Sequence, residues 1–436
     1  MSVEADWNRR SWLDSANDPT CGFPLQSLPY CVMAGETNRP GIGVGIGESI
    51  LDLRRCKNAG LLDGLPVPIL EACTAQILNA LMACEATAHA DLRARLMTLL
   101  DHEADTATRE QVGSALSPMS SATLLKPVEP ANYTDFYASL HHATRVGRLF
   151  RPEHPLLPNY KYVPIGYHGR ASSIVVSGAP VRRPRGQTRP AQPGAEPGFG
   201  PTRFLDYELE VGMYLAQGNR LGEPIPIGEA GDRIFGLSLL NDWSARDMQA
   251  WENQPLGPFL SKSFSTSVSP WVIPMAVFEP FRVPAKLRPS DDPSPLAYLF
   301  DGVDQYTGAV DLTVEAWLLT EAMRGAGLGP HRLSQANLRE LYWTPAQLVA
   351  HHASNGCNLL PGDLLATGTV SGQEDSSAGC LLELTAGGKA PIQLASGESR
   401  SALEDGDEVI LRGWCRRAGF PEVSLGECRG QVLPAL

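Results

Sequence analysis

Three acidic side chains, Asp206, Glu208 and Glu210, recur at every second position within residues 204–215. The residues between them are apolar. Because successive side chains of a β-strand point to opposite faces, the pattern predicts a strand with one acidic and one apolar face. At a rise of about 3.3 Å per residue, Glu208 and Glu210 would lie roughly 6–7 Å apart. Such a face is most often the solvated face of an edge strand, but it also suits a cation.

Two further aspartates stand in similar apolar surroundings. Asp135 lies in the segment NYTDFY, and Asp242 ends the apolar segment LSLLND. If these two converge with Glu208 and Glu210, the four carboxylates cannot all stay ionised without a cation. Ligands that are all oxygen favour Mg²⁺ or Ca²⁺ and also accept Mn²⁺, whereas zinc would prefer histidine or cysteine. The four acids therefore predict a site for a divalent metal ion.

A histidine, His142, follows Asp135 seven positions later. In a helix this spacing is two turns, which predicts that both side chains project from the same side. A histidine at the edge of a carboxylate–metal site is well placed to take a proton from water near neutral pH. The alternative is a purely structural histidine, which is the commoner role of a lone histidine.

An anionic substrate would need locally concentrated positive charge here, because the formal net charge of the chain is −12. Arg246, Gln249 and Lys262 lie within residues 241–271 and are able to donate hydrogen bonds to an anion or to developing negative charge. The alternative for each is a surface position or an ordinary ion pair. The acidic balance argues against general binding of nucleic acid or of an anionic membrane.

The elements that must position these residues fall into two units. Residues 1–125 begin with turn-rich, strand-like segments and continue with residues 68–84 and 90–104, whose apolar positions recur at helical spacing. The run GIGVGIG at residues 41–47 lacks the third glycine of a dinucleotide-binding loop. It predicts instead a strand whose glycines pack closely against another backbone.

Short alternating strands dominate residues 126–436, for example in residues 171–178, 235–242 and 407–414. Residues 182–202 are rich in Pro and Gly and predict a long surface loop without regular structure. The sequence has no run of 18 apolar residues, so it predicts no membrane span. Its nine cysteines form no C-x-x-C motif, which favours reduced thiols in the cytoplasm over disulfides or structural zinc.

Competing catalytic motifs do not occur in the sequence. It contains no G-x-S-x-G nucleophile elbow, no phosphate-binding P-loop and no H-E-x-x-H zinc motif. A serine hydrolase mechanism is therefore disfavoured.

Several long segments together resemble the fumarylacetoacetate hydrolase family. They follow the family's order along nearly the whole chain, beginning with FPLQSLPYCVM near the N-terminus. The others are NYTDFYASLHHATRVGRLFR, LPNYKYVPIGYHGRASSIVVSG, LDYELEVG, NDWSARDMQAWE, PLGPFLSKSF and NGCNLLPGDLLATGTVSG. Motifs of this length make the resemblance highly specific.

The resemblance implies an α+β fold that is mainly β. A small SH3-like N-terminal barrel with helices, residues 1–125, would precede a larger mixed β-roll catalytic domain, residues 126–436. It also implies a cytoplasmic homodimer that acts on a small diketo acid. The implied reaction is hydrolysis of 4-fumarylacetoacetate to fumarate and acetoacetate, the last step of tyrosine and phenylalanine catabolism.

The resemblance also assigns metal-binding and catalytic roles. It implies Ca²⁺ or Mg²⁺ ligands at Asp135, Glu208, Glu210 and Asp242, with Lys262 and Thr266 lining the same site. The general base falls on His142, and its partner glutamate, in a strand after the TGTVSG turn, falls on Glu383. Arg246, Gln249 and Lys262 would stabilise developing charge.

Substrate contacts are implied as well, and the sequence departs from the family pattern at one of them. The contacts fall on Tyr137, Arg151, Tyr167, Arg246, Gln249, Asn253 and Thr369. Asn253 stands where the family has a tyrosine, and its shorter side chain reaches less far toward a substrate carboxylate. Ser265 replaces a glycine of the family in the K-S-F-G-T stretch.

Two other functions stay open from the sequence. A related acylpyruvate hydrolase, decarboxylase or isomerase would share the acidic metal site, whereas the full N-terminal unit and the His142–Glu383 pair favour the hydrolase of 4-fumarylacetoacetate. A catalytically silent metal-binding or scaffold protein is the second alternative, and the intact catalytic positions argue against it.

Overall fold

The computed structural model describes residues 7–34 and 39–436, so residues 1–6 and 35–38 of the predicted N-terminal unit lie outside the described chain. The described chain is a mixed α/β structure and mainly β, which confirms the fold class at that level. The SH3-like form of the N-terminal barrel and the boundary at residue 125 stay predictions.

An antiparallel sheet near the N-terminus contains the glycine-rich run. In spatial order its strands are Leu116–Pro118, Ser49–Asp52, Gly41–Ile46, Tyr30–Met33 and Leu124–Leu125. Helices that share a buried cluster with this sheet are Leu53–Asn58, Val67–Ala72, Asn79–Met82, Ala86–Leu100 and Thr106–Ser114. The predicted helical segment 68–84 is therefore two short helices with a turn between them.

The strand predicted for the glycine-rich run is confirmed, and Gly43 packs closely in it, but against side chains of the neighbouring strands instead of their backbone. A side chain there would bring its Cβ to 2.4 Å from Ile50 Cγ2 and 3.0 Å from Cys31 Sγ, on the two neighbouring strands. Real Cβ atoms do not approach other atoms this closely, so only glycine fits between these strands.

The central sheet carries most of the candidate site. In spatial order its strands are Gly166–His168, Tyr133–Phe136, Leu364–Ala366, Leu209–Leu215, Ile234–Asp242, Thr266–Val268 and Ile174–Val176, and Ile273–Pro274 pairs with the first half of Ile234–Asp242. Tyr133–Phe136 pairs in parallel with Leu364–Ala366, and so does Thr266–Val268 with Ile174–Val176. Parallel pairs need long connections, so this sheet joins segments that are far apart in the chain.

A second large sheet packs against the central one. In spatial order its strands are His331–Asn337, Thr313–Leu319, Glu408–Cys415, Val423–Leu433 and Val181–Arg182. Apolar side chains from both sheets, among them Leu239, Val314 and Leu411, belong to one buried cluster. The strands predicted within residues 171–178, 235–242 and 407–414 are all present.

The remaining elements are short and connect or cover the sheets. Two-stranded pairs join Arg185–Thr188 with Gly198–Pro201, Leu205–Asp206 with Ser244–Ala245, Arg282–Val283 with Ala309–Val310, and Ile392–Gln393 with Ser399–Arg400. The further α-helices are Leu140–Phe150, Ile227–Ala230, Arg246–Glu252, Gly302–Thr307, Glu321–Gly325, Pro345–Ala353 and Leu381–Leu384. Short 3₁₀ helices are Asp14–Asn17, Met119–Ser121, Ala171–Ser173, Gly231–Arg233, Met275–Phe281, Ala297–Leu299, Leu338–Glu340 and Asp375–Ser377.

The prediction of an irregular loop over residues 182–202 is wrong. Gly186 and Gln187 pair with Gly200 and Phe199, so most of this segment is an exposed antiparallel hairpin. Four of its prolines lie between or beside the paired stretches, and Pro201 is the last residue of the second strand, opposite Arg185. Among the described helices, none combines the length and the apolar character that crossing a membrane requires.

Candidate active site

The central sheet brings the four predicted metal-binding acids together. Asp135, Glu210 and Asp242 lie on three of its strands, and Glu208 directly precedes the strand of Glu210. All four side chains are buried. Asp135, Glu208 and Asp242 each offer a carboxylate oxygen within 4.8 Å of the others. These four residues are called the acidic cluster below.

The strand of Glu210 is buried on both faces, so the acids do not lie on a solvated edge. Every residue of Leu209–Leu215 is buried. Val211 and Met213 on one face join the cluster between the two large sheets, and Tyr214 on the other face joins the cluster of the N-terminal unit. The alternation predicted from the sequence is therefore present within Leu209–Leu215, but both faces are internal. The predicted strand is not continuous, because residues 207 and 208 interrupt it and Leu205–Asp206 pairs with Ser244–Ala245 in a separate sheet.

Around Glu210, the charges of the other carboxyl groups outweigh that of the nearby Lys262. Within the described chain, neither carboxylate oxygen of Glu210 has a hydrogen-bond partner. Burial, followed by the charges of Asp135, Glu208 and Asp242, raises the pKa of Glu210 well above its ordinary value. Burial and Asp242 likewise raise the pKa of Asp135. These two carboxyl groups need either a proton or a nearby cation.

Glu208 differs because two cationic side chains contact it. Arg246 Nη1 donates to Glu208 Oε1 at 2.8 Å, and Lys262 Nζ donates to Glu208 Oε2. Burial alone would raise the pKa of Glu208, but Lys262 and Arg246 outweigh burial and hold that pKa well below its ordinary value. Lys262 Nζ also lies 3.0 Å from Asp242 Oδ2. The ammonium group therefore bridges two acids of the cluster.

Asp242 receives further hydrogen bonds from two hydroxyl groups. Thr266 Oγ1 donates to Asp242 Oδ1 at 2.9 Å, and the Tyr167 hydroxyl donates to Oδ2 at 2.5 Å. Thr266 lies opposite Asp242 on the neighbouring strand, so the sheet register sets this contact. Both hydroxyls hold the carboxylate in a fixed orientation.

The acidic cluster fits an oxygen-binding divalent cation. Its four buried carboxylates face the ammonium of Lys262 and the guanidinium of Arg246, whose Nε already donates to Asp206 at 2.8 Å. The unpaired oxygens of Glu210 mark an excess of negative charge that a divalent cation would neutralise. All the charged ligands are carboxylates, so the set suits Ca²⁺, Mg²⁺ or Mn²⁺ better than zinc.

The second half of the site is a buried histidine–glutamate pair. His142 Nδ1 lies 2.6 Å from Glu383 Oε1, and both side chains are shielded from solvent. His142 is the third residue of the helix Leu140–Phe150, whose N-cap Ser139 accepts the His142 backbone N–H at 3.2 Å. The Tyr137 ring packs edge-on against the imidazole, with the ring centroids 5.1 Å apart. These contacts fix the orientation of the imidazole.

Several groups converge on the Glu383 carboxylate. Ser371 Oγ donates to Oε1 at 2.8 Å, and the Cys380 thiol lies 3.4 Å from the same oxygen. Arg145 Nη1 lies 3.4 Å from Oε2. Burial alone would raise the pKa of Glu383, but His142 first, and then Ser371 and Arg145, hold it below its ordinary value. Glu383 therefore stays ionised beside the imidazole.

The pair and the acidic cluster adjoin each other through Tyr137. Burial, and then the charges of Glu383 and Glu208, raise the pKa of the Tyr137 hydroxyl, so this one side chain lies close to both halves. Two buried atoms of predicted site residues, Arg246 Nη2 and Thr369 Oγ1, have no partner within the described chain. Unpaired buried polar atoms are costly, so they mark where a ligand would bind.

Family models match both parts of this chain. The model described as Fumarylacetoacetase N-terminal matches residues 26–127. The model described as Fumarylacetoacetate (FAA) hydrolase C-terminal matches residues 131–433. The chain belongs to the fumarylacetoacetate hydrolase family.

Relatives within the fumarylacetoacetate hydrolase family match over nearly the full length. Fumarylacetoacetase of Bos taurus is 46% identical over 425 residues, which cover 95% of this chain and 97% of the relative. Fumarylacetoacetase of Arabidopsis thaliana is 43% identical over 430 residues, 98% of this chain and 99% of the relative. The solved fumarylacetoacetate hydrolase of Exiguobacterium antarcticum aligns with a TM-score of 0.51 at 16% identity, over 93% of this chain and 99% of that one. At that identity the likeness shows the shared fold alone.

Two residues carried over from the fumarylacetoacetate hydrolase family stand apart from the others. Arg151 is exposed at the C-terminal end of its helix, where Nη2 donates to the Pro155 carbonyl at 3.1 Å. Asn253 is exposed at the end of the helix Arg246–Glu252. Their substrate contacts stay predictions, as do the roles assigned to the residues that lie together.

Two local predictions about the site are wrong. Asp135 and His142 do not share a helix, because Asp135 lies in a strand and the Ser139 cap starts the helix only at Leu140. Glu383 lies on the short helix Leu381–Leu384, not in a strand. In both places a side chain that satisfies the first backbone N–H groups decides where the helix begins.

Asp206 organises the site in a way that the sequence reasoning missed. Its carboxylate accepts the backbone N–H groups of Leu381 and Leu382 at 2.7 and 3.0 Å, and it pairs with Arg246. It thereby joins the helix of Glu383 to the arginine that holds Glu208. Its position on the acidic face of residues 204–215 could have indicated that Asp206 belongs to the site. Arg145 and Ser371 were also missed, and only the spacing of Arg145 from His142 pointed to it.

Proposed function

We propose that this protein hydrolyses the carbon–carbon bond of 4-fumarylacetoacetate to fumarate and acetoacetate, the last step of tyrosine and phenylalanine catabolism. The observation that carries the proposal is the buried His142–Glu383 pair beside a carboxylate cluster, in a chain 46% identical to bovine fumarylacetoacetase. The pair and the cluster alone would suit several diketo-acid hydrolases. Membership of the fumarylacetoacetate hydrolase family narrows the range of substrates to be considered.

In this proposal His142 is the general base. Because Nδ1 faces Glu383, the imidazole carries its proton there and leaves Nε2 free to accept a proton from water. The water oxygen then forms a bond to the fumaryl carbonyl carbon, and the π electron pair of that carbonyl moves onto its oxygen, from which the carbonyl re-forms when the carbon–carbon bond breaks. Glu383 stabilises the imidazolium that results, since its carboxylate is ionised and lies 2.6 Å from Nδ1.

Cleavage of the carbon–carbon bond then requires a stable leaving group. When that bond breaks, its electron pair moves to the carbon between the two carbonyls, and the acetoacetate part leaves as an enolate. The imidazolium returns its proton to this carbon, which releases acetoacetate and restores neutral His142. Fumarate keeps the oxygen from water. Arg246, Gln249 and Lys262 donate to the oxygens on which charge develops.

The metal ion of this proposal would be held by Asp135, Glu208, Glu210 and Asp242, with Lys262 and Thr266 beside it. When bound, a divalent cation supplies a Lewis acid that stabilises negative charge on enolate oxygens. The oxygen-only ligands support Ca²⁺ or Mg²⁺ and also accept Mn²⁺. Lys262 would then balance the excess charge of the cluster together with the cation.

Substrate ends would be held by groups around this core. The proposed contacts are Tyr137, Arg151, Tyr167, Gln249, Asn253 and Thr369, together with Arg246. The unpaired Thr369 hydroxyl and Arg246 Nη2 support this assignment because both are buried without another partner within the described chain. The proposal also includes an SH3-like N-terminal barrel, a homodimer and a cytoplasmic location. Free thiols at Cys31 and Cys56 are compatible with the reducing conditions of that compartment.

The proposal is tested by assaying the purified protein on 4-fumarylacetoacetate and on acylpyruvates, before and after a chelator and after Mg²⁺ or Ca²⁺ is restored. We expect metal-dependent loss of 4-fumarylacetoacetate absorbance with formation of both products. Turnover of acylpyruvates alone would indicate a related hydrolase instead. Metal binding without turnover of any diketo acid would indicate a silent protein.

His142→Ala tests the assigned base. We expect turnover to fall by about 10²–10⁴-fold, the range that general acid–base catalysis contributes, while metal binding stays close to that of the unsubstituted protein. His141→Ala is the matched control, because His141 contacts Lys286 Nζ at 2.6 Å instead of Glu383. Equal activity of the two variants would exclude His142 as the base.

A further inference from the structure

Arg145 lies on the same helix as His142, three residues later, and its side chain is largely buried. Residues three apart in a helix project from the same side, so both face the segment around Ser371 and Glu383. No role in metal binding or catalysis was predicted for Arg145 from the sequence. Its contacts nevertheless place it directly behind the His142–Glu383 pair.

The guanidinium of Arg145 binds three successive backbone carbonyls. Nη1 donates to the carbonyl of Gly372 at 2.9 Å, and Nη2 donates to those of Gln373 at 2.7 Å and Glu374 at 2.8 Å. The Asp375 carboxylate, which is exposed, lies 3.9 Å from Nε. One side chain thus fixes the course of residues 372–374 against the helix that carries His142.

The segment held by Arg145 also carries a group that orients Glu383. Ser371, which precedes Gly372, donates from Oγ to Glu383 Oε1 at 2.8 Å and accepts the Gly379 backbone N–H at 3.0 Å. Its carbonyl accepts Ser139 Oγ at 2.9 Å, and Ser139 is the N-cap of the His142 helix. A shift of this segment would therefore move the donor that holds Oε1.

Arg145 also contacts the glutamate itself. Nη1 lies 3.4 Å from Glu383 Oε2, the oxygen that His142 does not use. Rotation of the Glu383 carboxylate is restricted because Oε1 faces His142 and Ser371 while Oε2 faces the Arg145 guanidinium. Both contacts depend on a planar group with several donors, which lysine does not have.

We propose that Arg145 is a positioning residue for the His142–Glu383 pair, which it holds in its reactive geometry through residues 372–374 and through Glu383 Oε2. The proposal rests on the function proposed above for this pair. It assigns Arg145 no contact with substrate. Loss of Arg145 would therefore reduce kcat and leave KM nearly unchanged.

The test compares Arg145→Gln and Arg145→Lys with Arg148→Gln, which removes an exposed arginine from the same helix. We expect Arg145→Gln to lower kcat by about 10–100-fold, the usual cost of losing a group that orients an active-site ligand, with KM changed less than about 3-fold. Arg145→Lys should restore part of kcat. Arg148→Gln should match the unsubstituted protein, and equal kcat for both glutamine variants would overturn the proposal.

A double-mutant cycle separates positioning from a general loss of structure. In a Glu383→Gln background, Arg145→Gln should lower kcat by less than about 3-fold, because the contact it supports is already altered. Fold-losses that multiply would mean that Arg145 acts elsewhere, and would overturn the proposal. If Arg145→Gln does not fold, Arg145→Lys carries the test, and unchanged kcat in that variant also overturns it.

Proton NMR gives a readout that needs no turnover. The proton shared by His142 Nδ1 and Glu383 Oε1 at 2.6 Å should give a far-downfield signal that disappears in Glu383→Gln. We expect Arg145→Gln to shift or broaden this signal and Arg148→Gln to leave it in place. An unchanged signal in Arg145→Gln overturns the proposal even if the protein hydrolyses no diketo acid, whereas absent hydrolysis alone overturns only the proposed function.

Discussion

At the scale of single residues, Glu210 shows most directly the excess of buried negative charge in the site. Its two oxygens are buried without a donor within the described chain, and burial and Asp135 raise its pKa. A carboxylate in that position is stabilised only when a cation replaces the missing donors. Glu210 is therefore an acid whose removal should directly affect metal binding.

Glu210→Gln should weaken Mg²⁺ or Ca²⁺ binding by at least about 10–100-fold, since an outer contact of a metal site alone contributes that much. Isothermal titration calorimetry on chelated and re-supplied protein measures this. Glu315→Gln is the control, because Glu315 is a buried glutamate that pairs with Arg332 at 2.9 Å on the other large sheet. Wild-type affinity in Glu210→Gln would remove Glu210 from the ligand set.

Glu383 offers a second prediction at this scale, in pH dependence. The charge of His142, with Ser371 and Arg145, outweighs burial and lowers the pKa of Glu383 from its unfolded value of 4.5. A depressed pKa stabilises the fold above the unfolded value, and this contribution is lost as the pH falls through the folded pKa.

Glu383→Gln should therefore unfold more easily than the unsubstituted protein at pH 7, by about 1.5–3 kcal/mol, the value of a hydrogen bond to a charged group. The difference should shrink as the pH falls below 4.5, where the unfolded carboxyl is protonated. Urea unfolding at several pH values checks the sign. A difference that grows in acid would contradict the lowered pKa.

The sequence predicted the four acids because their spacing and apolar surroundings are local features. Glu383 came only from the family resemblance, since nothing in CLLELT indicates a partner for a distant histidine. Arg145 was missed because its hydrogen-bond acceptors are the backbone carbonyls of residues 372–374, which lie more than 200 positions away in the sequence. Contacts set by tertiary structure leave no periodic trace in the sequence.

At the scale of elements, the parallel pairing of Tyr133–Phe136 with Leu364–Ala366 positions the site. Sequence patterns predicted several strands, among them those within residues 171–178, 235–242 and 407–414, yet assigned Asp135 to a helix. Local spacing alone does not report a partner strand far along the chain. The turn after Leu364–Ala366 then packs against the end of the strand of Asp135. The Gly368 N–H donates to Asp135 Oδ1 at 3.1 Å there, which ties the turn to the acidic cluster.

Gly368→Ala should disrupt the packing of this turn against the strand of Asp135. Gly368 has a φ of +75°, and an added Cβ would meet the Phe136 carbonyl oxygen at 2.1 Å, so backbone must move. We expect a loss of about 3 kcal/mol or more in urea unfolding, together with weaker metal binding.

Gly178→Ala is the matched control for Gly368→Ala, because Gly178 has a φ of +91° with no atom within 4 Å of the added Cβ. It reports the cost of the left-handed conformation alone, about 1–2 kcal/mol. Equal losses of unfolding free energy in the two variants would mean that the packing of the turn against the Asp135 strand adds no steric constraint.

At the scale of the whole molecule, the N-terminal unit and the central sheet share one buried cluster. Phe235, on the strand that ends at Asp242, packs against Tyr30 with ring centroids 5.7 Å apart and edge-on against His89 at 5.2 Å. Tyr30 and Val272 also exchange two backbone hydrogen bonds, each of 2.9 Å. The acidic cluster and the N-terminal unit therefore depend on the same strand.

Because of this shared core, we expect residues 1–125 and 126–436 to unfold together in a single transition, whatever the sequence boundary between them. Phe235→Ala should lower the free energy of unfolding by about 3–5 kcal/mol, as for other buried phenylalanines, and should lower it for both parts at once. Calorimetry combined with a probe in each part measures this. Phe199→Ala removes a phenylalanine that is 70% exposed and should change stability by less than about 0.5 kcal/mol. Two separate transitions, with Phe235→Ala shifting only one of them, would mean that the N-terminal unit folds independently of the sheet that carries the acids.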